Sequence, residues 1–225
     1  MLIVALVGAG RLVSQVVVTI DAKIGVQNVY SGQGVYADPG NDFWNAVTSD
    51  DGGGPFLASD GTTMTDITLS FTGEVPIGYG GVPAFASQLL ADYYYTYSLA
   101  SFTIGGLKAG RTYDFYFYSQ AGSSGAMDRA AIFTLDGISQ SLTGRFAESF
   151  ELGVNYVKFT ITPDSTSLEG SFEIDVLNGS HEAEFNGLQI VESAIPEPAT
   201  TAMWLGAAAL IGGAVLRGRY GRLGR

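Results

Sequence analysis

Eight stretches of this chain alternate apolar and polar residues with a period of two. From Val16 to Val26, the residues Val16, Val18, Ile20, Ala22, Ile24 and Val26 point one way, and Thr19, Asp21, Lys23 and Gly25 the other. Strict alternation over this length is the pattern of a β-strand with one face on a core. It returns with Ile67, Leu69 and Phe71, with Phe102 and Ile104, and with Tyr113, Phe115 and Phe117 set against Asp114, Tyr116 and Tyr118. Ala131, Phe133 and Leu135 lead into Asp136-Gly137, a dipeptide that favours a tight hairpin turn. Val157, Phe159 and Ile161 follow, then Phe172, Ile174 and Val176, and last Leu188 and Ile190. Turns rich in Gly, Asn, Asp and Ser separate them. Short strands at this spacing predict an all-β, two-sheet, jelly-roll-like sandwich over residues 16–193.

One segment breaks the pattern. Phe85, Leu89 and Tyr93 stand four apart after Pro83, which predicts a short helix over Pro83–Tyr94 capping one end of the sandwich. The tyrosines Tyr93, Tyr94, Tyr95 and Tyr97 then read as a helix end packed on the sheets or as an adhesive surface. No period of 20 to 50 residues signals a repeat array. The 31 glycines among 225 residues fit many turns better than helices.

The two ends differ from the body. Residues 1–15 open on an apolar run, Leu2 to Val7, with Arg11 behind it. They read either as a degenerate or truncated export signal lacking its basic start, or as a first strand or frayed terminus. At the other end, residues 199–216 are uncharged and rich in Ala, Leu and Gly. As a helix they would be about 27 Å long, near the hydrocarbon thickness of a bilayer. Trp204 suits the headgroup region, and Arg217, Arg219, Arg222 and Arg225 follow without an acidic residue among them. A basic cluster beside a span stays in the cytoplasm, which predicts a C-terminal transmembrane helix with the body on the far side.

Pro196-Glu197-Pro198, the apolar span and the arginine-rich end together resemble the PEP-CTERM sorting signal of Gram-negative bacteria, over residues 194–225. The resemblance implies recognition by exosortase-type sorting machinery. It also implies transient residence in the inner membrane, then delivery to the cell surface or extracellular matrix. Two further stretches carry resemblances. Phe102 to Tyr118, with Gly106-Leu107, Gly110 and Tyr113, is similar to a strand–corner–strand unit of galactose-binding-like and fibronectin-like sandwiches. Phe185-Asn186-Gly187-Leu188-Gln189-Ile190-Val191 is similar to the last strand of galactose-binding-like jelly rolls. Carbohydrate binding is what that likeness implies.

Charge narrows the partners. Lys and Arg total 11 against 22 Asp and Glu. Four of the cations lie after Leu216, so the preceding part holds 7 against 22, a net of −15. Such a body repels phosphate backbones, which argues against nucleic acid. The absence of cysteine excludes disulfides, thiolate metal sites and a cysteine nucleophile.

Chemistry concentrates in one loop, Tyr30 to Asn45. Tyr36, Asp38, Asn41, Asp42 and Trp44 bring amide and carboxylate oxygens next to aromatic rings, the combination that takes sugar hydroxyls and stacks on a pyranose. The alternative reading has Phe43 and Trp44 plugging the sandwich end, with Asp38 and Asn41 in Asx turns. Asp38, Asn41, Asp42, Asp50 and Asp51 also offer the oxygen ligands of a structural calcium, without EF-hand spacing; the alternative is a set of solvated acidic loops. No other cofactor is expected. His181 is the single histidine and reads as a solvated loop residue, so no Ser–His–Asp catalysis is expected. No carboxylate pair stands out for glycoside hydrolysis. The expectation is therefore a non-enzymatic surface or biofilm-matrix protein that binds extracellular polysaccharide through sandwich-end loops. A purely structural matrix protein stands second, and a polysaccharide-active enzyme third.

Overall fold

The computed structural model describes residues 15–24, 29–73, 75–80, 88–120 and 129–193. Gln15–Ser193 form one unit with its own core. The proposed signal segment up to Ser14, Pro196-Glu197-Pro198, the apolar span and the four terminal arginines lie outside the described residues. Among those described, no helix is long and apolar enough to cross a membrane.

Two sheets face one another. The five-stranded sheet runs β11 (Tyr156–Ile161), β8 (Tyr113–Tyr118), β14 (Gly187–Glu192), β1 (Val17–Ala22), β2 (Asn45–Val47). The six-stranded sheet runs β10 (Ile138–Leu142), β9 (Ala131–Leu135), β12 (Ser167–Ile174), β7 (Leu99–Gly105), β4 (Thr68–Phe71), β3 (Gly52–Gly53). Pairing is antiparallel except between β1 and β2. A third sheet, β13 (Ala183–Phe185), β6 (Asp92–Thr96), β5 (Ile77–Tyr79), sends Tyr94 and Phe185 into the same core. All eight alternating stretches are strands, and the all-β sandwich stands.

The inward residues of the alternation meet in an aromatic core. The Phe185 ring lies 5.8 Å from Phe117 and Phe172, and 6.1 Å from Phe71, Phe102 and Phe133. All of these side chains are buried, so burial alone stabilises a chain without cross-links.

Local turn chemistry sets the strand connections. Asp136 and Gly137 both adopt positive φ (52° and 74°), the backbone of a two-residue turn between β9 and β10. At the β7–β8 corner, the Lys108 N–H donates to the Tyr113 hydroxyl at 3.0 Å, which closes the corner over buried Leu107.

The structure corrects three expectations. Residues 88–91 form a turn and Asp92–Thr96 a strand, so the helix proposed for Pro83–Tyr94 is absent where described; residues 83–87 lie outside the described set. Four-residue spacing of apolar side chains had a competing reading. Tyr94 points into the core, while Tyr93, Tyr95 and Tyr97 follow one another on the opposite face at 6.1 and 5.5 Å, a period of two. Second, β1 ends at Ala22 and β12 at Ile174, which leaves Ile24 and Val176 exposed. Third, β1 is buried on both faces, Thr19 and Asp21 included, as is Lys23 just beyond it. The cover over its second face builds the candidate site.

Candidate functional site

The segment from Val29 to Trp44 lies on the outer face of the five-stranded sheet. There Val17, Trp44, Tyr116, Tyr118 and Val191 form a second apolar layer, with Tyr30, Val35 and Tyr36 packed against it. The Trp44 ring stands edge-on to Tyr30 at 5.2 Å and to Tyr118 at 6.0 Å, and its indole N–H donates to the Gly32 carbonyl at 2.9 Å. Gln189 on β14 fastens the segment: its Oε1 accepts from the Tyr36 N–H at 3.0 Å and its Nε2 donates to the Tyr36 carbonyl at 3.1 Å. A side chain at Gly34 would collide with Gln189, since a Cβ there would stand 2.3 Å from Oε1.

This clamp presents Phe43. Its N–H donates to the Ser59 carbonyl at 3.0 Å, and its carbonyl accepts from the Thr19 hydroxyl. Asn45 holds the next position, donating to the Thr19 and Leu57 carbonyls at 2.9 and 2.8 Å and accepting from the Leu57 N–H at 2.9 Å. With its backbone fixed on both sides, Phe43 stays 39% exposed. Two concave surfaces meet at Phe43 and Ala46. One, of about 410 Å³, has Tyr30, Phe43 and Trp44 for its aromatic wall and Ser31 and Asp42 for its polar edge. The other, of about 360 Å³, runs along Thr48, Ser49 and the Gly52-Gly53-Gly54 backbone.

Asp42 and Trp44 line the first concavity; Tyr36, Asp38 and Asn41 do not. The Tyr36 hydroxyl donates to Gln15 Oε1 at 2.8 Å. The Asp38 carboxylate accepts from the Ser59 hydroxyl at 2.5 Å and from Asn41 Nδ2 at 3.3 Å, while the Asn41 N–H donates to the Asp38 carbonyl at 2.9 Å. These two residues make a local turn. Trp44 is only 3% exposed and serves as the floor, so the open ring face belongs to Phe43. Phe43 and Tyr30 belong to the same Tyr30–Asn45 loop, but nothing in the sequence distinguishes the exposed ring from the buried one.

The five candidate calcium ligands are divided. Asp38, Asn41 and Asp42 precede β2, whereas Asp50 and Asp51 follow it. The Asp50 and Asp51 carbonyls accept from the Val75 and Phe71 N–H groups at 3.2 and 3.0 Å. Among the described residues, no three His, Cys, Asp or Glu side chains are grouped to hold a metal. His181 is exposed.

A second polar constellation went unread in the sequence. Lys23 Nζ lies 2.5 Å from Asp92 Oδ2, both side chains nearly inaccessible. The Asp92 carbonyl accepts from Asn186 Nδ2 at 3.1 Å, Asn186 Oδ1 accepts from the Gln120 N–H at 2.8 Å, and Gln120 Oε1 accepts from Asn155 Nδ2 at 2.7 Å. The chain of bonds ties β1, β6, β8, β11 and the β13–β14 corner together. Beside it, Asp21 Oδ2 accepts from the Tyr30 N–H at 2.9 Å while Oδ1 has no hydrogen-bond partner among the described residues, and burial pushes the Asp21 carboxyl up to about 7. On β13, the strand paired with β6, Glu184 faces Arg129 at 3.4 Å, and burial lifts its carboxyl to about 8. The extended polar chain reads as a tie between strands, because its members satisfy one another.

No family model and no curated protein matches this chain. Solved structures similar to it include the ANX2 ectodomain from Arabidopsis thaliana, at 12% identity and a TM-score of 0.46, covering 80% of this chain and 42% of that one. A β-glucuronidase from Bacteroides uniformis is similar at 11% identity and a TM-score of 0.47, over 80% of this chain and 18% of the enzyme. A ruminal GH26 endo-β-1,4-mannanase is similar at 17% identity and a TM-score of 0.29, over 47% of this chain and 20% of its own length. The chain thus spans less than half the length of each.

Proposed function

We propose that this chain is a non-enzymatic surface or matrix protein that binds extracellular polysaccharide along the trough at Phe43. The observation that carries this reading is the fixed, exposed Phe43 ring between two adjoining concavities, with the Asp42 carboxylate and Ser31 hydroxyl on one edge. An aromatic face covers the C–H side of a sugar ring, and flanking oxygens take its hydroxyls. Asp42 is the one carboxylate lining either concavity among the described residues. Glycoside hydrolysis uses two, which supports binding over cleavage. The competing reading, a matrix protein without a ligand, draws on the burial of Trp44.

The address belongs to the same proposal. Pro196-Glu197-Pro198 with the span 199–216 and its four arginines supports passage through the inner membrane of a Gram-negative bacterium, handling by exosortase-type machinery, and release to the cell surface or matrix. No nucleic acid is a partner. A structural calcium at Asp38, Asn41 and Asp42 remains part of the proposal, tested by chelation.

The test is retention of the purified chain on immobilised exopolysaccharide from the producing bacterium, with calcium and with chelator. Wild type is retained, and F43A binds about tenfold more weakly, the worth of one lost stacking contact. Absence of retention in both conditions, or equal retention of F43A, overturns the binding reading and leaves the structural one.

A further inference from the structure

Of the lysines in this chain, Lys23 is buried against a carboxylate. Its Nζ lies 2.5 Å from Asp92 Oδ2, with the two side chains 5% and 6% exposed, and it also donates to the Gln88 carbonyl at 3.3 Å. The other lysine–carboxylate pairs among the described residues, Lys108–Glu192 and Lys158–Asp114, stand nearer solvent, their lysines 59% and 38% exposed. Both backbones of the buried pair are pinned. The Lys23 N–H donates to the Val47 carbonyl at 2.9 Å, and the Asp92 carbonyl accepts from Asn186 Nδ2 at 3.1 Å. The pair therefore bridges the end of β1 and the start of β6, the main sandwich and the third sheet.

A third group completes the setting. Asp21 precedes Lys23 by two residues, on the same face of the strand by alternation, and is wholly buried. It lies within electrostatic reach of both Lys23 and Asp92. Its Oδ2 is occupied by the Tyr30 N–H, while Oδ1 has no hydrogen-bond partner among the described residues. Burial keeps the Asp21 carboxyl protonated up to about 7, so near neutral pH it can give and take a proton. Leu89 and Leu90, both wholly buried, stand just before Asp92 and add to the dry surroundings. A buried ion pair is a poor source of stability, because desolvating two charges costs about what their attraction returns. An amine, a carboxyl carbon against it and a protonated acid nearby are, however, the groups that an amide condensation needs.

We propose that Lys23 and Asp92 join in an intramolecular amide bond, with Asp21 as the proton donor. Since Cγ is one bond from Oδ2, Nζ already stands near the approach distance of reacting atoms, about 3–3.5 Å. The ion pair first passes a proton from Nζ to Asp92, a transfer that removes both charges and that dry surroundings favour. The amine lone pair then forms the Nζ–Cγ bond. The second Asp92 oxygen takes the proton of Asp21, and Asp21 takes one from Nζ. Asp21 next protonates one of the two hydroxyls on Cγ. That Cγ–O bond breaks, water leaves, and the other hydroxyl returns its proton to Asp21. Amine and carboxylic acid become amide and water; nothing is oxidised or reduced, and Asp21 ends as it began. Two groups held in contact react at effective concentrations of about 10⁵–10⁸ M, which replaces the activation that free partners require. In a chain without cysteine, such a bond is the cross-link that disulfides cannot supply. Neither Lys23 nor Asp92 lines the Phe43 trough, so this proposal and the binding one stand apart.

Mass spectrometry of the folded full chain, denatured and cut with chymotrypsin, tests this directly. Aromatic residues such as Tyr30 and Phe71 separate the two positions, so unlinked Lys23 and Asp92 fall in different peptides. Wild type is expected to give those peptides joined, and lighter than their sum by one water. K23R keeps the charge opposite Asp92 but cannot attack, because a guanidinium stays protonated, and it gives separate peptides. D21N keeps the shape and removes the transferable proton; its linked fraction, followed over time after cell-free synthesis, rises about a hundredfold more slowly. Where a variant fails to fold, the wild-type digest alone decides. Lys23 and Asp92 in separate peptides from folded wild type overturn the proposal, even where water is lost at an Asp-Gly step such as Asp136-Gly137. Linkage in D21N at the wild-type rate overturns the part given to Asp21.

Discussion

The two buried carboxyls with raised pKa give this sandwich an unusual response to pH. Glu184 carries a proton up to about 8 in the folded chain, against its ordinary 4.5, because burial disfavours the charged form more than Arg129 favours it. Asp21 behaves alike, at about 7 against 3.8. Between the ordinary and the raised values, the folded state holds a proton that the unfolded state has released. Stability therefore falls as pH climbs, over about 4.5 to 8 for Glu184 and about 3.8 to 7 for Asp21, and is flat beyond. The melting temperature at pH 5 is expected to exceed that at pH 8, by roughly 2–4 °C for each kcal/mol involved. E184Q and D21N each keep the shape, remove one titration, and narrow the gap. General repulsion among the surplus acids acts in the same direction, but these two substitutions leave that repulsion nearly intact. A gap of the same size in both variants would show that the surface, and not these residues, sets the response.

Elements were legible where period and turn chemistry agreed. The β9–β10 hairpin follows from Asp136-Gly137, and β7–β8 from the run through Gly106, Leu107, Gly110 and Tyr113. The strands the sequence did not reveal are short or glycine-rich, such as β3 at Gly52–Gly53, or take side chains that read equally well as helix, such as β6. Alternation also cannot announce a second cover: Tyr116 and Tyr118 look half-exposed in sequence and lie buried under the Tyr30–Trp44 segment. For the same reason Trp44, read from the sequence as a stacking ring, is buried, and Phe43 beside it is the exposed one. The β7–β8 corner yields a paired test. Gly106 and Gly110 share a φ of 75°, but a Cβ at Gly106 would stand 1.8 Å from the Asp66 carbonyl oxygen, whereas none meets an atom within 4 Å at Gly110. G110A should cost about 1 kcal/mol of backbone strain, and G106A about 2–3 kcal/mol or more as the segment at Asp66 shifts. Denaturant titration compares them; equal costs would mean that this segment yields freely.

At the scale of the whole molecule, the body and the tail demand different surroundings. The part before residue 217 carries 7 cations against 22 acids, while the tail has four arginines behind an uncharged stretch of Ala, Leu and Gly. An acidic sandwich is well solvated in water. An uncharged 18-residue stretch suits hydrocarbon, and a basic cluster beside such a stretch favours the cytoplasmic side of a bilayer. The proposed export route reconciles these needs: the chain would reside in the membrane only while the body crosses and then lose the tail beyond Pro196-Glu197-Pro198. Mass spectrometry of the protein recovered from its own cells should therefore find a surface or medium fraction shortened by the residues of the span and its arginines. A variant with all four arginines replaced by glutamine should accumulate uncleaved, because the tail then has no charge to fix its orientation. Full-length chain dissolved in the cytosol, arginines still attached, would remove the export route, and with it the reason to look for the trough's ligand among extracellular sugars.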